Sequence, residues 1–205
     1  VKTPSYIPQI AFYFLTGHKD AANKLTLFGK IAHHSNGQDG NFYTDDGKVN
    51  LQSGNFATNY LELGFLQSSY SQNLKAFKFI KSSVEIHPKS WMLEELHGQY
   101  SGLRWHNTFL AYKLPMKSNL IKSSEQKANF SVKAETTLML DNINNWDTFN
   151  SKRINASLIV YYHPKFLEDI GFFVQFYQGM DYYNIYFQHQ ISSIRFGIMT
   201  ETLRF

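Results

Sequence analysis

The chain has 205 residues, of which 43% are hydrophobic and 18% charged, with a net charge of +4 and no cysteine. That length fits one domain, residues 1–205, and the missing thiols exclude both a disulfide framework and a thiolate metal site. The lysines are scattered singly rather than gathered in a basic stripe, which argues against nucleic acid as a partner.

The longest unbroken apolar run is Ile10 to Leu15, far short of the ~20 residues a spanning helix needs, so a helical membrane protein is excluded. Aromatic residues make up 17% of the chain, with 18 Phe, 13 Tyr and 3 Trp spread over its whole length. Aromatic girdles at both membrane interfaces are a property of β-barrels.

Along the chain, strands are expected near 6–15, 25–35, 56–66, 75–87, 99–112, 128–140, 152–162, 170–178 and 183–200. Two of them carry the pattern most plainly. In 128–140, Phe130, Val132, Ala134, Leu138 and Leu140 share one parity while Asn129, Ser131, Lys133 and Glu135 take the other. In 152–162, Ile154, Leu158 and Val160 alternate with Arg153, Asn155 and Ser157. The period is two, that of a strand with unlike faces. Polar segments such as 44–54 and 141–150 separate the elements.

About nine strands result, and they predict an all-β, antiparallel transmembrane barrel. Single-chain bacterial barrels close with an even number, so either a hairpin is miscounted or, as the preferred reading, strands before Val1 are expected, after an export leader. A soluble β-sandwich or lipocalin-like barrel is the competing reading, because alternation alone does not say which face meets water.

Parity also groups three polar side chains. Leu25, Leu27, Gly29, Ile31, His33 and Ser35 share one face of their strand, and Ala57, Asn59, Leu61, Leu63 and Phe65 one face of the next. Polar groups on lipid-facing surfaces are costly unless paired, so His33, Ser35 and Asn59 are expected to be partners. Acyl transfer suits them, with Ser35 as nucleophile, His33 as base and Asn59 orienting the imidazole; Asn55, of the same parity, is the runner-up. The plainer alternative makes His33 and Ser35 ordinary strand-end residues at the interface. The other histidines, His18, His87, His97, His106, His163 and His189, have no ligand spacing and read as interface or lumen residues.

The run Tyr6-Ile7-Pro8-Gln9, followed by a strand ending in His33-His34-Ser35-Asn36-Gly37, resembles the central region of the outer membrane phospholipase A family. Phe176-Tyr177-Gln178-Gly179 and the closing Arg195-Phe196-Gly197-Ile198-Met199 are similar to that family's last two strands, and Leu203 with Phe205 resembles the terminal aromatic signature of proteins inserted by the bacterial barrel-assembly machinery. The resemblance implies a twelve-stranded barrel of the bacterial outer membrane, with this chain supplying its C-terminal nine strands. It also implies a catalytic set of His33, Ser35 and Asn59 on the outer wall, membrane phospholipids as substrate, and activation by pairing into a homodimer. Calcium is the implied cofactor, with Gln38 contributing a backbone carbonyl, Asp39 a carboxylate, and Glu94 or Glu95 a second one; the family usually has Arg where Gln38 stands. A non-enzymatic barrel, porin-like or a scaffold subunit, in which the triad is a relic, is the other functional reading.

Overall fold

A computed structural model describes residues 4–16, 23–115, 128–164, 167, 170–181 and 184–200. The expectations that rest on His18, Leu203 and Phe205 lie outside them. Nine strands form one antiparallel sheet in simple meander order: β1 (Gln9–Thr16), β2 (Lys24–Ser35), β3 (Ala57–Ser71), β4 (Ala76–Ile86), β5 (Leu103–Pro115), β6 (Ala128–Met139), β7 (Ile154–Pro164), β8 (Ile170–Met180) and β9 (Gln190–Thr200). The sheet is not closed, and β1 and β9 are its two edges. The expected count of about nine antiparallel strands therefore holds, while closure into a barrel is not observed.

Boundaries differ from the expected ones where loop chemistry intervenes. The last strand begins at Gln190 rather than 183, because Asn184–Tyr186 winds into a 3-10 turn whose Tyr186 carbonyl accepts the His189 N–H. Arg153, assigned above to a polar strand face, instead ends the 3-10 turn Ser151–Arg153. Its buried guanidinium donates to the carbonyls of Met139, Asp141, Asp147 and Trp146, clamping the 140–150 loop. The first strand begins at Gln9, preceded by an isolated bridge between Tyr6 and Ser35.

The two faces of the sheet differ in polarity. The outward side chains are large and apolar: Leu63 is 62% exposed, Ile194 and Ile198 each 68%, and Phe196 85%. The inward face carries the charge. Glu62, 3% exposed, lies 2.5 Å from Lys30 Nζ and 3.0 Å from Lys81 Nζ and accepts a 2.7 Å bond from Ser83. Register explains the clustering, since Lys30 pairs with Glu62, and Glu62 with Glu85, across neighbouring strands.

Antiparallel order sends alternate connections to opposite ends. The β3–β4 hairpin turns within 72–75, with Lys75 at a φ of 49°, whereas 36–56, 87–102, 140–153 and 181–189 are longer and share the other end. There the main apolar core forms from loops rather than strands: Phe42, Phe56, Leu96, Tyr100, Ile185 and Phe187. Phe187, after β8, stands 6.0 Å from Phe56, just before β3, and Tyr186 bonds the Leu51 carbonyl. The sheet is thus curled enough for its eighth strand's loop to pack on its second's, and the loops lie over the concave side.

Candidate active site

His33 and Asn59 are directly opposed in the β2–β3 ladder, and Ser35 sits two residues beyond His33 on the same face. That face is the outer one, because Leu25, Leu27 and Ile31 on β2 and Leu61 and Leu63 on β3 share the parity and are exposed. His33 Nδ1 lies 2.8 Å from Asn59 Oδ1. An amide oxygen only accepts, so Nδ1 carries the proton, and in the neutral ring Nε2 is then the acceptor. Asn59 Nδ2 donates in turn to the Trp91 carbonyl at 3.3 Å, which fixes which end of the amide faces the imidazole.

Ser35 is held through its backbone. Its N–H donates to the Tyr6 carbonyl at 3.0 Å and its carbonyl accepts the Tyr6 N–H at 2.8 Å, so the segment before β1 brackets the residue. Among the described residues its hydroxyl makes no hydrogen bond, and the His33–Ser35 contact expected from the sequence is not formed. Such bonds are often loose in resting enzymes and tighten with substrate. Asn55, the runner-up, does not reach His33; it stands in the loop, where its N–H bonds the Gly40 carbonyl.

Asn36 has a part that its place in the motif did not reveal. It is 1% exposed and spends its amide on three bonds: Nδ2 to the Gly54 carbonyl at 2.7 Å, and Oδ1 from the N–H groups of Gln38 at 3.2 Å and Phe56 at 3.0 Å. The turn after Ser35 is thereby fastened to the start of β3. Gly37 needs its lack of side chain, since its φ is +66° and a Cβ there would stand 3.0 Å from the Tyr6 ring.

The residues expected to hold calcium lie on two loops at this same end. Asp39 is exposed beside Ser35's turn, Gln38 spends its N–H on Asn36, and Glu94 and Glu95 are exposed on the 3-10 turn Glu94–Leu96. The two loops pack together through Phe42, Phe56, Leu96 and Tyr100. Their donors are all oxygens, the chemistry a hard cation takes. Among the described residues no three His, Asp or Glu side chains converge into an ion-sized group.

Behind the site, the inner wall carries His87, His106 and His163, three of the histidines that spacing left without a role. His87 bonds Glu85 at 2.8 Å and Thr58 at 2.9 Å, while His106 bonds Thr137 at 2.8 Å. Farther along, Ser131 Oγ lies 2.9 Å from His163. A cavity of about 230 Å³, lined among others by His34, Tyr60, Glu85, Arg104 and His106, occupies the concave side. His87 lies beyond the end of β4, and burial, reinforced by the Arg104 charge, holds its imidazole below the ordinary 6.5 although Glu85 opposes the shift. No protein-family model matches the chain, and no characterised protein or solved structure matches it either.

Proposed function

We propose that the chain forms most of an outer-membrane β-barrel and hydrolyses acyl esters of outer-leaflet phospholipids with His33, Ser35 and Asn59. The observation that carries the reading is the 2.8 Å His33–Asn59 bond on an exposed apolar face, two residues from a serine. Apolar side chains on the outside and ion pairs on the inside suit a wall with lipid behind it and water before it. An 11-residue strand rises about 36 Å along its axis, or about 26 Å along the membrane normal at a ~45° tilt, which matches the apolar band of such barrels. Eight of the nine strands are that long or longer. In lipid the two open edges would need partners, and the resemblance assigns that place to three further strands.

In the reaction, Ser35 Oγ attacks the ester carbonyl as His33 Nε2 takes its proton. Asn59 holds Nδ1–H and keeps Nε2 aimed at the hydroxyl. The imidazolium then protonates the departing lysophospholipid oxygen, and a water molecule, deprotonated by the same nitrogen, releases the fatty acid from Ser35. Calcium held by the Gln38 carbonyl and Asp39 would supply positive charge to the developing oxyanion.

The test is hydrolysis of a phospholipid in mixed micelles, with and without a calcium chelator. Ser35→Ala should abolish turnover, and chelation should suppress it. Full activity in Ser35→Ala, or turnover indifferent to the chelator, would overturn the proposal. The unbonded Ser35 hydroxyl is the observation that favours the relic reading, and that reading predicts no hydrolysis by the unaltered protein.

A further inference from the structure

Asn59 can orient His33 only if its own amide points the right way. Its two ends are nearly the same shape. With Oδ1 toward His33, Nδ1 is the protonated nitrogen and Nε2 is a base; with Nδ2 toward it, the tautomer reverses and Nε2 becomes a donor. The choice is made by the Trp91 carbonyl, which accepts from Nδ2.

The position of that carbonyl is itself fixed from the inner wall. Thr58, immediately before Asn59, is 0% exposed and faces the concave side. Its Oγ1 lies 2.9 Å from His87 Nδ1, and His87 Nε2 lies 2.8 Å from Glu85 Oε1. In the chain's ordinary protonation the carboxylate only accepts, so Nε2 carries the ring proton and Nδ1 receives the threonine hydroxyl. The hydroxyl's other contact, to the Asn59 carbonyl, is longer at 3.4 Å.

His87 opens the segment that carries Trp91. Its N–H bonds the Gly102 carbonyl at 2.8 Å, the Pro88 carbonyl accepts the Trp91 N–H at 2.8 Å, Met92 bridges to Thr58, and Leu93 N–H bonds the Ala57 carbonyl at 3.2 Å. The 88–91 turn is therefore tied at both ends to the three residues 57–59. Around the imidazole stand Glu85, Tyr60 at 4.9 Å, Tyr100 at 5.3 Å and the Arg104 charge, with Thr58 above.

We propose that Thr58, His87 and Glu85 form a positioning relay: they seat the 88–91 turn so that the Trp91 carbonyl holds the Asn59 amide in the one orientation that makes His33 a base. These are positioning residues, since none of them reaches the outer face. The proposal rests on the phospholipase reading for its kinetic consequence, though not for its geometry.

The experiment compares Thr58→Val, which keeps the side chain's shape and removes its hydroxyl, and His87→Phe, each alone and combined with Asn59→Ala. On micellar phospholipid, each single change should lower kcat about tenfold, a fraction of the ~10⁴ that a wholly wrong tautomer costs a serine hydrolase, with KM within about twofold. In the Asn59→Ala background neither change should lower kcat further, because the group it acts through is gone. Unchanged kcat in the single variants, or the same fold-loss in both backgrounds, would overturn the relay. Nitrogen-15 spectra of ring-labelled protein read the same point without turnover: His33 should carry its proton on Nδ1 in the unaltered chain and shift toward Nε2 in Thr58→Val. A protein that hydrolyses nothing sinks the phospholipase reading, while the His33 tautomer still decides the relay.

Discussion

Asn36 separates Ser35 from a glycine in left-handed conformation, and it closes three hydrogen bonds in a space that water does not reach. Replacing it with Ala strands the Gly54 carbonyl and two N–H groups. A loss of about 1–3 kcal/mol in unfolding free energy is expected, together with a fall in turnover larger than in substrate binding. Urea titration in micelles checks the first and steady-state kinetics the second; an unaltered midpoint would show that the turn holds without the clamp. His87 makes the complementary prediction for pH. Its folded-state pKa is depressed, so the unfolded chain binds a proton first as pH falls below 6.5, and stability declines on that side. Midpoints measured from neutral pH down to about pH 5 should fall, and His87→Phe should flatten the slope; equal slopes would contradict the assignment. At this scale the sequence was half legible. His33, Ser35 and Asn59 could be grouped by parity alone, because a strand of known register has only two faces. The roles of Asn36, Trp91 and His87 were not, because each acts through a bond to a backbone group or side chain whose approach depends on how three loops fold together.

Single strands show why parity worked. On β2 and β3 the exposed Leu25, Leu27, Ile31, Leu61, Leu63 and Phe65 fall on odd numbers and Lys30 and Glu62 on even, so one decision about which side faces outward settles the orientation of both elements at once. The same regularity gives a test of that decision. Leu63, 62% exposed at the middle of β3, should tolerate Arg poorly in a bilayer, by about 2–4 kcal/mol near the midplane, and easily if its face meets water. Unfolding from vesicles decides between them: a lowered midpoint supports a lipid-facing β3, and an unchanged one refutes it. Strand ends were read less well. Gln190 begins β9 seven residues later than expected because the Asn184–Tyr186 turn belongs to the loop core around Phe187, a tertiary demand with no periodic signature. Arg153 alternates correctly with Ile154 in the sequence, yet it leaves the strand to bond the carbonyl that ends β6 and three loop carbonyls.

As a whole the described residues form a curled nine-stranded sheet with apolar side chains on its outer face, charged ones on its concave face and one end overlaid by its own loops. Lys30, Glu62 and Lys81 reach toward one another across the concave side, and Phe56, Tyr100 and Phe187 pack over its end. On the phospholipase reading, planar-bilayer recordings should lack the stepwise conductance a porin gives; regular open-channel steps would favour the non-enzymatic reading. The number of strands could be read from turn residues and alternation. Closure could not, since it depends on what pairs with β1 and β9. Everything proposed for the site depends on the odd-numbered side chains of β2 and β3 facing acyl chains. The chain has no cysteine, so single cysteines at Tyr60, Leu61, Glu62 and Leu63 can each carry one fluorophore without background. In vesicles containing spin-labelled lipid tails, emission from positions 61 and 63 should be quenched strongly and that from 60 and 62 spared. The reverse pattern, or equal quenching at all four, would contradict a lipid-facing site.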